Sequence, residues 1–397
     1  MKNSVKQHAS ALTAVLACLA LALVLYHSLA GGTLLQSSPY NSYALQAENW
    51  LAGRNNIANG ENYTWLELAI YQGRYYQSFP PVPAVLMLPF VAAAGEWSAI
   101  PGNLIAMGLA LLCAGGVYAC CMRGGMQPVT CAFFTLFVSM GSNVFWMSTS
   151  DGVWFLAQVC ALGFAFWGLF FAQGGNAVQD AAASLCMALA VGCRPFYALL
   201  LACWLGWQFL PALLPAVVMA ACMMAYNFAR FGSVTEFGHN YLPEFVRAEN
   251  GQFSLTYLVP NLLQLLRPVT LDAQGQLHFE IYNGFLFFAA NPLFLLAMVR
   301  GLLLRLPGHQ AEVQVSVPLP SAGWFVAAMC LLMTCLTCMH RTLGGWQFGA
   351  RYMVDLFPWL FVWFLGRPKW RPDSSAWALC GAAMLFNLYG ALYMLNT

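Results

Sequence analysis

Long stretches of this 397-residue chain contain no charged residue, and this absence limits the folds that the chain can adopt. Charged residues make up 8% of the sequence, whereas soluble domains carry about 25%. Five of them lie between Gly31 and Pro81, eight between Arg230 and Tyr282, and seven between His340 and Asp373. The apolar runs between these segments are long enough to cross a bilayer as helices. The pattern predicts an all-α polytopic membrane protein.

The apolar runs predict ten or eleven crossings. The first run is longer than the roughly 7–15 residues of a signal-peptide core, which favours an uncleaved helix over a cleaved signal. Prolines interrupt 181–229, which predicts two helices, or two helices and a short re-entrant segment. A proline-rich loop is expected at 306–320. The other predicted spans are 9–30, 81–95, 99–121, 128–148, 152–173, 284–304, 321–339, 353–366 and 374–395.

Basic residues beside the apolar runs predict a cytoplasmic N-terminus. They also place the polar segments 31–81, 230–282 and 340–352 together on the outer face of a single membrane domain, 1–397. Arg123 fits this arrangement only if one segment is re-entrant. The net charge of +2 is too small to indicate nucleic-acid binding. The residues that predict the cytoplasmic side are Lys2, Lys6, Arg300, Arg305, Arg367, Lys369 and Arg371.

The first polar segment, 31–81, combines acidic, basic and aromatic residues and includes a predicted interfacial amphipathic helix at 43–51. Glu67 and Arg74 lie among tyrosines just before a Pro80-Pro81 step. Such a cluster suits a substrate with a charged head and an apolar tail, and an interfacial anchor explains it equally well. The candidate residues in this segment are Glu48, Glu67, Tyr71, Arg74, Tyr75 and Tyr76.

Arg194, in Gly192-Cys193-Arg194-Pro195, lies between two apolar runs. An arginine at membrane depth is costly unless it is paired or hydrated, so it indicates a functional site by default. A loop arginine between two short helices is the alternative interpretation.

The second and third polar segments contain further candidates, including Asn227 and Arg230. Glu236 and His239 are three residues apart and would face one pocket if the turn is helical, with His239 as an acid or base. Two such ligands are too few for a metal site. A second amphipathic helix is predicted at 255–266.

Arg351 and Asp355 have the spacing of an ion pair on one helix. Arg341 and Arg351 equally suit a phosphate clamp, because a guanidinium group matches phosphate oxygens. The fourteen cysteines lie mostly in apolar runs, where they serve as packing residues. Neither a disulfide framework nor a zinc site is predicted.

In this order, the features resemble the GT-C superfamily of membrane glycosyltransferases. That superfamily uses sugars linked to polyprenyl phosphate and includes protein O-mannosyltransferases and lipid A aminoarabinose transferases. The resemblance rests on the polar loop after the first span, the Pro80-Pro81 step and two motifs. These are Tyr-Asn-x-x-Arg-Phe-Gly-Ser at 226–233 and Gly-Trp-x-Phe-Gly-x-Arg-Tyr at 345–352. It covers most of residues 10–366.

The resemblance implies a GT-C-like fold in the bacterial inner membrane and sugar transfer to an acceptor on the extracytoplasmic face. It also implies an acid in the first loop that acts as a base or positions the acceptor. That acid would fall near Tyr40-Asn41, where neither residue is acidic, so Glu67 or Glu48 takes the role, with Glu67 preferred. Phe79 stands where relatives have a histidine before the two prolines.

For the donor, the resemblance implies a lipid-linked sugar whose phosphate is held by basic residues. Membrane lipids are the other expected partners, and the use of a divalent cation stays open. Alternatives are a non-catalytic relative acting in envelope assembly, and a transporter. The implied phosphate-binding residues are Arg74, Arg194, Arg230, Arg341 and Arg351. The implied substrate-binding residues are Tyr71, Tyr75, Tyr76, Asn227, Glu236, His239, Tyr352 and Asp355.

Overall fold

A computed structural model describes residues 2–206, 210–271, 273–303 and 319–397, which are mostly helical. Arg305 and the predicted loop at 306–320, apart from its last two residues, lie outside these ranges. The helices are α1 (Lys2–Leu29), α2 (Ser42–Leu51), α3 (Val82–Ala94), α4 (Gly102–Arg123), α5 (Pro128–Ser139), α6 (Val144–Met147), α7 (Val153–Ala172), α8 (Ala177–Val191), α9 (Ala198–Leu205), α10 (Leu210–Phe231), α11 (Pro243–Val246), α12 (Leu258–Leu265), α13 (Phe287–Ala290), α14 (Leu293–Leu303), α15 (Gly323–Cys338), α16 (Phe357–Leu365) and α17 (Ser374–Tyr393). The strands form two antiparallel hairpins, β1 (Leu68–Tyr71) with β2 (Arg74–Gln77), and β3 (Thr270–Leu271) with β4 (Leu277–His278).

Five helices in the described ranges are long and apolar enough to cross a membrane. The prediction of a mostly helical chain with several long apolar helices is therefore confirmed. The five helices are Ser4–Leu29, Gly102–Arg123, Val153–Ala172, Ala212–Phe231 and Ser374–Asn396.

Two predicted spans are interrupted. The run 128–148 ends as α5 at Ser139 before the short helix α6, and 284–304 divides into α13 and α14 around Asn291-Pro292. Proline supplies no backbone donor, so a helix breaks readily there. Two asparagine side chains bond to each other where the helices break. Asn291 Nδ2 donates to Asn143 Oδ1 at 2.7 Å, and both residues are fully buried.

The predicted span at 81–95 begins and ends at the same end of the helix bundle. Asn103, at the start of α4, donates to the Thr33 carbonyl of the first polar segment at 2.9 Å. The backbone N–H of Trp97, just after α3, donates to Glu48 of α2 at 2.7 Å. Both ends of α3 therefore lie at the end of the bundle that contains segment 31–81, which we call the loop end. α3 thus does not run from one end of the bundle to the other, unlike the span predicted at 81–95.

The opposite end of the bundle contains most of the basic residues near the spans. The Tyr118 hydroxyl of α4 donates to the His8 carbonyl of α1 at 3.1 Å, so α1 and α4 are antiparallel. Arg300 of α14 forms an ion pair with Asp373 at the start of α17. α17 then runs to the loop end, where Tyr393 packs on Phe279. Since α1 also starts at the basic end, α1 and α17 both run from the basic end to the loop end.

The three polar segments meet at the loop end. Arg230 Nη1 donates to the Gln77 carbonyl at 2.5 Å, which joins the second segment to the first. The backbone N–H of Ser254 donates to the Met339 carbonyl at 2.9 Å, which joins the second segment to the end of α15. The amphipathic helix predicted at 255–266 forms as α12 in this layer, after a short 3-10 turn.

The helix predicted at 43–51 forms as α2, but it is not an exposed interfacial helix. Seven of its ten residues are buried, and it packs against α3. Its start is fixed by Asn41, whose side chain accepts from the Ala44 N–H at 3.0 Å and donates to Asp151 at 2.7 Å. α2 is therefore a buried helix of the loop end that packs against α3.

Asp151, directly before α7, connects the first polar segment to the bundle. Its buried carboxylate accepts from the Ser37 hydroxyl at 2.6 Å and the Ser38 N–H at 2.7 Å, as well as from Asn41. A Cβ on Gly102 would lie 1.7 Å from Asp151 Oδ2. Only glycine allows α4 to approach this carboxylate so closely.

Gly102→Ala is expected to lower the stability of the purified protein by about 1–3 kcal/mol, because the added methyl group must displace the buried carboxylate. Gly108→Ala, on the same helix with open space around it, serves as the matched control. It should be neutral or stabilising by about 0.5–1 kcal/mol. Thermal unfolding in detergent measures both. Equal effects of the two substitutions would contradict the assigned contact.

The topology of α3 predicts labelling from one side. Cysteines introduced at Gln72 and Glu96, both exposed, should react with a membrane-impermeant maleimide from the same face of oriented vesicles. A cysteine at Arg371 should react only from the opposite face. The unsubstituted protein gives the background from its own thiols. Labelling of positions 72 and 96 from opposite faces would mean that α3 crosses the bilayer.

Candidate functional site

Glu67 lies at the loop end directly before the hairpin of β1 and β2. The hairpin turns through Gln72 and Gly73, which both have positive φ, as a two-residue type I′ turn requires. The Glu67 carboxylate lines a cavity of about 570 Å³ whose walls include aromatic residues and Glu244 of α11. Its Oε2 accepts from the indole N–H of Trp154 at 3.0 Å. The carboxylate is thus partly desolvated, held on one side and open to a cavity.

The surroundings of Glu67 favour its protonated form more than water does. Burial raises the pKa of Glu67 above its usual value, and the nearby Glu244 carboxylate raises it further. The hydrogen bond from Trp154 and the positive charge of Arg351 lower it, but the net shift is upward. A carboxylate with a raised pKa is a stronger base than one in water.

Arg351 is buried, with 2% of its surface exposed, and neutral groups hold its guanidinium. It donates to Gln158 Oε1 and to the Gly344 carbonyl, both at 2.8 Å, and to the Trp154 carbonyl at 3.5 Å. Its Nε has no hydrogen-bond partner among the described residues. Within the same ranges no carboxylate lies at ion-pair distance from it. Its positive charge is therefore not neutralised by a direct partner there.

The predicted ion pair between Arg351 and Asp355 does not form. Residues 351–356 form a 3-10 helix, in which positions four apart do not share a face. Asp355 instead pairs with Arg194 at 2.7 Å across the bundle. Tyr352 lies between the two arginines, with each guanidinium 4.7 Å from its ring centroid. Arg194 is thus a paired, largely buried residue rather than a free loop arginine.

Two histidines of the loop end, His239 and His340, lie close together, His239 half-buried and His340 buried. Burial and the neighbouring His340 lower the pKa of His239 to about 4. Burial also lowers the pKa of His340, and Arg194 and Arg351 lower it further. The His239 ring packs edge-on against Phe79 at 5.7 Å.

The helical turn that would direct Glu236 and His239 into one pocket does not form, because residues 236–238 are not helical. Glu236 accepts from the Gly238 N–H at 2.7 Å and from Asn240 at 2.8 Å, so its carboxylate stays within a non-helical turn.

Several other candidates have structural contacts. Glu48 accepts from the N–H of Trp97. Asn227 donates to the Val234 carbonyl at 3.2 Å and accepts from buried Arg230 at 3.0 Å. Arg230 also lies 3.9 Å from the ring centroid of Tyr226. The Arg230 contacts, with the bond from its Nη1 to the Gln77 carbonyl, connect the end of α10 to the hairpin.

The aromatic and basic candidates of the hairpin have different surroundings: two tyrosines make structural contacts, one lines the cavity, and the arginine is exposed. Tyr71 donates to the Phe231 carbonyl at 3.3 Å, and Tyr76 packs on the Phe231 ring. Tyr75 lines the cavity. Arg74 is exposed on the hairpin, away from the Arg351 cluster. Arg341 is also exposed and donates to the backbone carbonyl of Glu244.

Trp154 and Gln158, which connect the charged groups, were not among the predicted site residues. Gln158 donates to the Arg351 carbonyl at 3.0 Å and to Asp355 at 3.4 Å, in addition to accepting from the guanidinium. A polar residue within an otherwise apolar span is a signal for such a role.

A metal-binding cluster is not found in the described ranges, where no three His, Cys, Asp or Glu residues come together. Glu67 and Glu244 alone fall short of the six or more oxygen ligands of a calcium site. Cys335 and Cys338 have Cys-x-x-Cys spacing, but both lie within α15 as free cysteines.

Comparison with models of known protein families and with curated proteins finds no match to this chain.

Asp355→Asn is expected to destabilise the protein by about 3–5 kcal/mol, because it leaves the Arg194 charge buried without its partner. Glu280→Gln breaks the more exposed ion pair with Arg267 and should change stability by no more than about 1 kcal/mol. Thermal unfolding in the same detergent compares the two. A small effect of Asp355→Asn would show that Arg194 is hydrated rather than dependent on Asp355.

Proposed function

We propose that this protein is a GT-C-type membrane glycosyltransferase that moves a sugar from a polyprenyl-phosphate donor to an acceptor on the extracytoplasmic face of the bacterial inner membrane. The observation that carries the proposal is that two groups of opposite charge both form a hydrogen bond with Trp154. One is Glu67, a carboxylate with a raised pKa that opens to a cavity. The other is Arg351, a buried guanidinium with only neutral acceptors.

The Arg351 charge supports binding of an anion. A buried charge without a partner is strongly unfavourable, and a phosphate would compensate it through charge-assisted hydrogen bonds. Arg194 adds a second guanidinium across Tyr352, although Asp355 already neutralises it. The donor phosphate is therefore assigned to Arg351, with Arg194 as a secondary contributor.

The lipid part of the donor has an apolar surface available beside the site. α10 is apolar, and only 17% of its most hydrophobic window is buried within the protein. The helix ends at the loop end in Arg230 and Phe231. A polyprenyl chain lying along α10 would bring its phosphate to the level of the polar segments.

The cavity beside Glu67 suits the acceptor. Its volume of about 570 Å³ falls in the usual range for small-molecule sites. Tyr63, Trp65 and Tyr75 supply aromatic surface on its walls. The acceptor hydroxyl would meet the Glu67 carboxylate on the side away from Trp154.

The reaction is a single displacement with inversion. Glu67 takes the proton of the acceptor hydroxyl while its oxygen forms a bond to the anomeric carbon of the donor sugar. The bond from that carbon to the phosphate oxygen breaks, and both bonding electrons leave with the lipid phosphate. Arg351 stabilises the negative charge that grows on this leaving group.

The orientation follows from the basic residues at the end opposite the site. Positive residues favour the cytoplasmic side of a membrane. Their position supports a cytoplasmic N-terminus and an extracytoplasmic loop end. The residues at this basic end are Lys2, Lys6, Arg123, Arg300, Arg367, Lys369 and Arg371.

Glu67→Gln is expected to reduce sugar transfer at least about 100-fold, because it removes the proton acceptor. Glu48→Gln, the matched control, should retain most of the activity, since Glu48 is bonded to the Trp97 backbone. The measurement is the consumption of a radiolabelled polyprenyl-phosphate hexose in proteoliposomes supplied with bacterial membrane extract. Circular dichroism and thermal unfolding confirm that each variant is folded.

The alternatives give different results. A folded wild-type protein that consumes no donor under these conditions supports the non-catalytic relative. Solute flux across the same vesicles, lost on substitution of Arg351, supports a transporter. Loss of transfer with Glu48→Gln but not with Glu67→Gln would move the base to α2.

A further inference from the structure

Trp154 contacts both charged groups of the site through two different atoms. Its indole N–H donates to Glu67 Oε2 at 3.0 Å, and its backbone carbonyl accepts from Arg351 Nη1 at 3.5 Å. Its ring packs against Tyr40 at 5.5 Å and Phe155 at 6.2 Å.

The position of Trp154 is fixed by the connection between α7 and the first polar segment. Trp154 lies in the first turn of α7, three residues after Asp151, whose carboxylate is bonded to that segment. The adjacent Val153 N–H donates to the Tyr40 carbonyl at 3.1 Å. The indole therefore has little freedom to turn away from Glu67.

The chemistry of the indole determines what this contact can do. An indole N–H is a donor only and cannot accept a proton from a carboxylic acid. It stabilises an ionised carboxylate more than a neutral one, because a hydrogen bond to a charged acceptor is stronger. Of the two carboxylate oxygens of Glu67, only Oε2 accepts a hydrogen bond from a described residue, so the contact occupies Oε2 and leaves Oε1 for the cavity.

We propose that Trp154 is the positioning residue of this site, which favours the ionised form of Glu67, directs Oε1 to the acceptor cavity and fixes the distance of Glu67 from Arg351. The role in transfer rests on the proposed function, whereas the contact itself does not. Trp154 acts through Glu67 and Arg351.

The direction of the effect follows from the groups that face Glu67. Glu244 from α11 raises the pKa of Glu67, Arg351 from the third segment lowers it, and the Trp154 indole lowers it. Removing the indole donor therefore raises the pKa of Glu67 further. A base that must be ionised then loses activity at a higher pH than before.

The first experiment is the pH profile of sugar transfer by Trp154→Phe in the full-length protein. The acidic limb should move up by about one pH unit, which lowers the rate on that limb about tenfold. Trp154→His, which retains a ring N–H, should move the limb back toward its original position. Trp167→Phe is the matched control, because Trp167 lies on the same helix and donates to the Leu112 carbonyl at 3.1 Å, far from the site. An unshifted limb in active Trp154→Phe would overturn the proposal.

The second experiment needs no substrate. In protein labelled with ¹⁵N-tryptophan, the indole resonance that is absent from Trp154→Phe should shift as pH changes. That shift should disappear in Glu67→Gln and persist in Glu48→Gln. A Trp154 resonance that is insensitive to Glu67 would overturn the proposal even if transfer is observed. A titrating resonance in a protein that transfers no sugar would instead retain the contact and remove the proposed function.

Discussion

The hydrogen bonds that Asp151 accepts from the first polar segment fix the start of α7, and the rest of the loop end depends on that fixed start. Trp154 and Gln158 follow within the next two turns and reach Glu67, Arg351 and Asp355. One helix therefore positions groups from two distant segments of the chain. A buried carboxylate that accepts three hydrogen bonds is a rigid connection, because breaking those bonds would leave a buried charge without partners.

Sequence patterns located the long helices because hydrophobicity over about 20 residues is a local property. α4, α7 and α17 are close to their predicted bounds for this reason, whereas α1 begins seven residues before its predicted start at 9. α3 has similar hydrophobicity, but it spans only 13 residues, and its return to the loop end depends on the contact between Glu48 and Trp97. Hydropathy contains no information about such a contact, so it could not show that 81–95 begins and ends at one end of the bundle.

The candidate site was less predictable because its partners are far apart in sequence. Arg351 and Asp355 have helical spacing, yet the 3-10 geometry separates them and Asp355 meets Arg194, 161 residues away. Spacing also could not choose between Glu48 and Glu67, since both lie in the same polar segment. The choice between them depends on what each carboxylate contacts: a backbone N–H of the α3 turn for Glu48, and Trp154 with an open cavity for Glu67.

The glycines that precede Arg351 in sequence have a physical explanation in this arrangement. Gly344, just before the motif, has a φ of +114°, and a Cβ there would lie 2.9 Å from Arg351 Nε. Gly349 has a φ of +70°, and a Cβ there would lie 2.3 Å from Asn143 Nδ2. These two positions require glycine for backbone conformation and for space. They let the chain fold back so that the Gly344 carbonyl meets the guanidinium it precedes in sequence. The glycines of this region thus keep a buried positive charge bonded to neutral groups, with no carboxylate at ion-pair distance among the described residues.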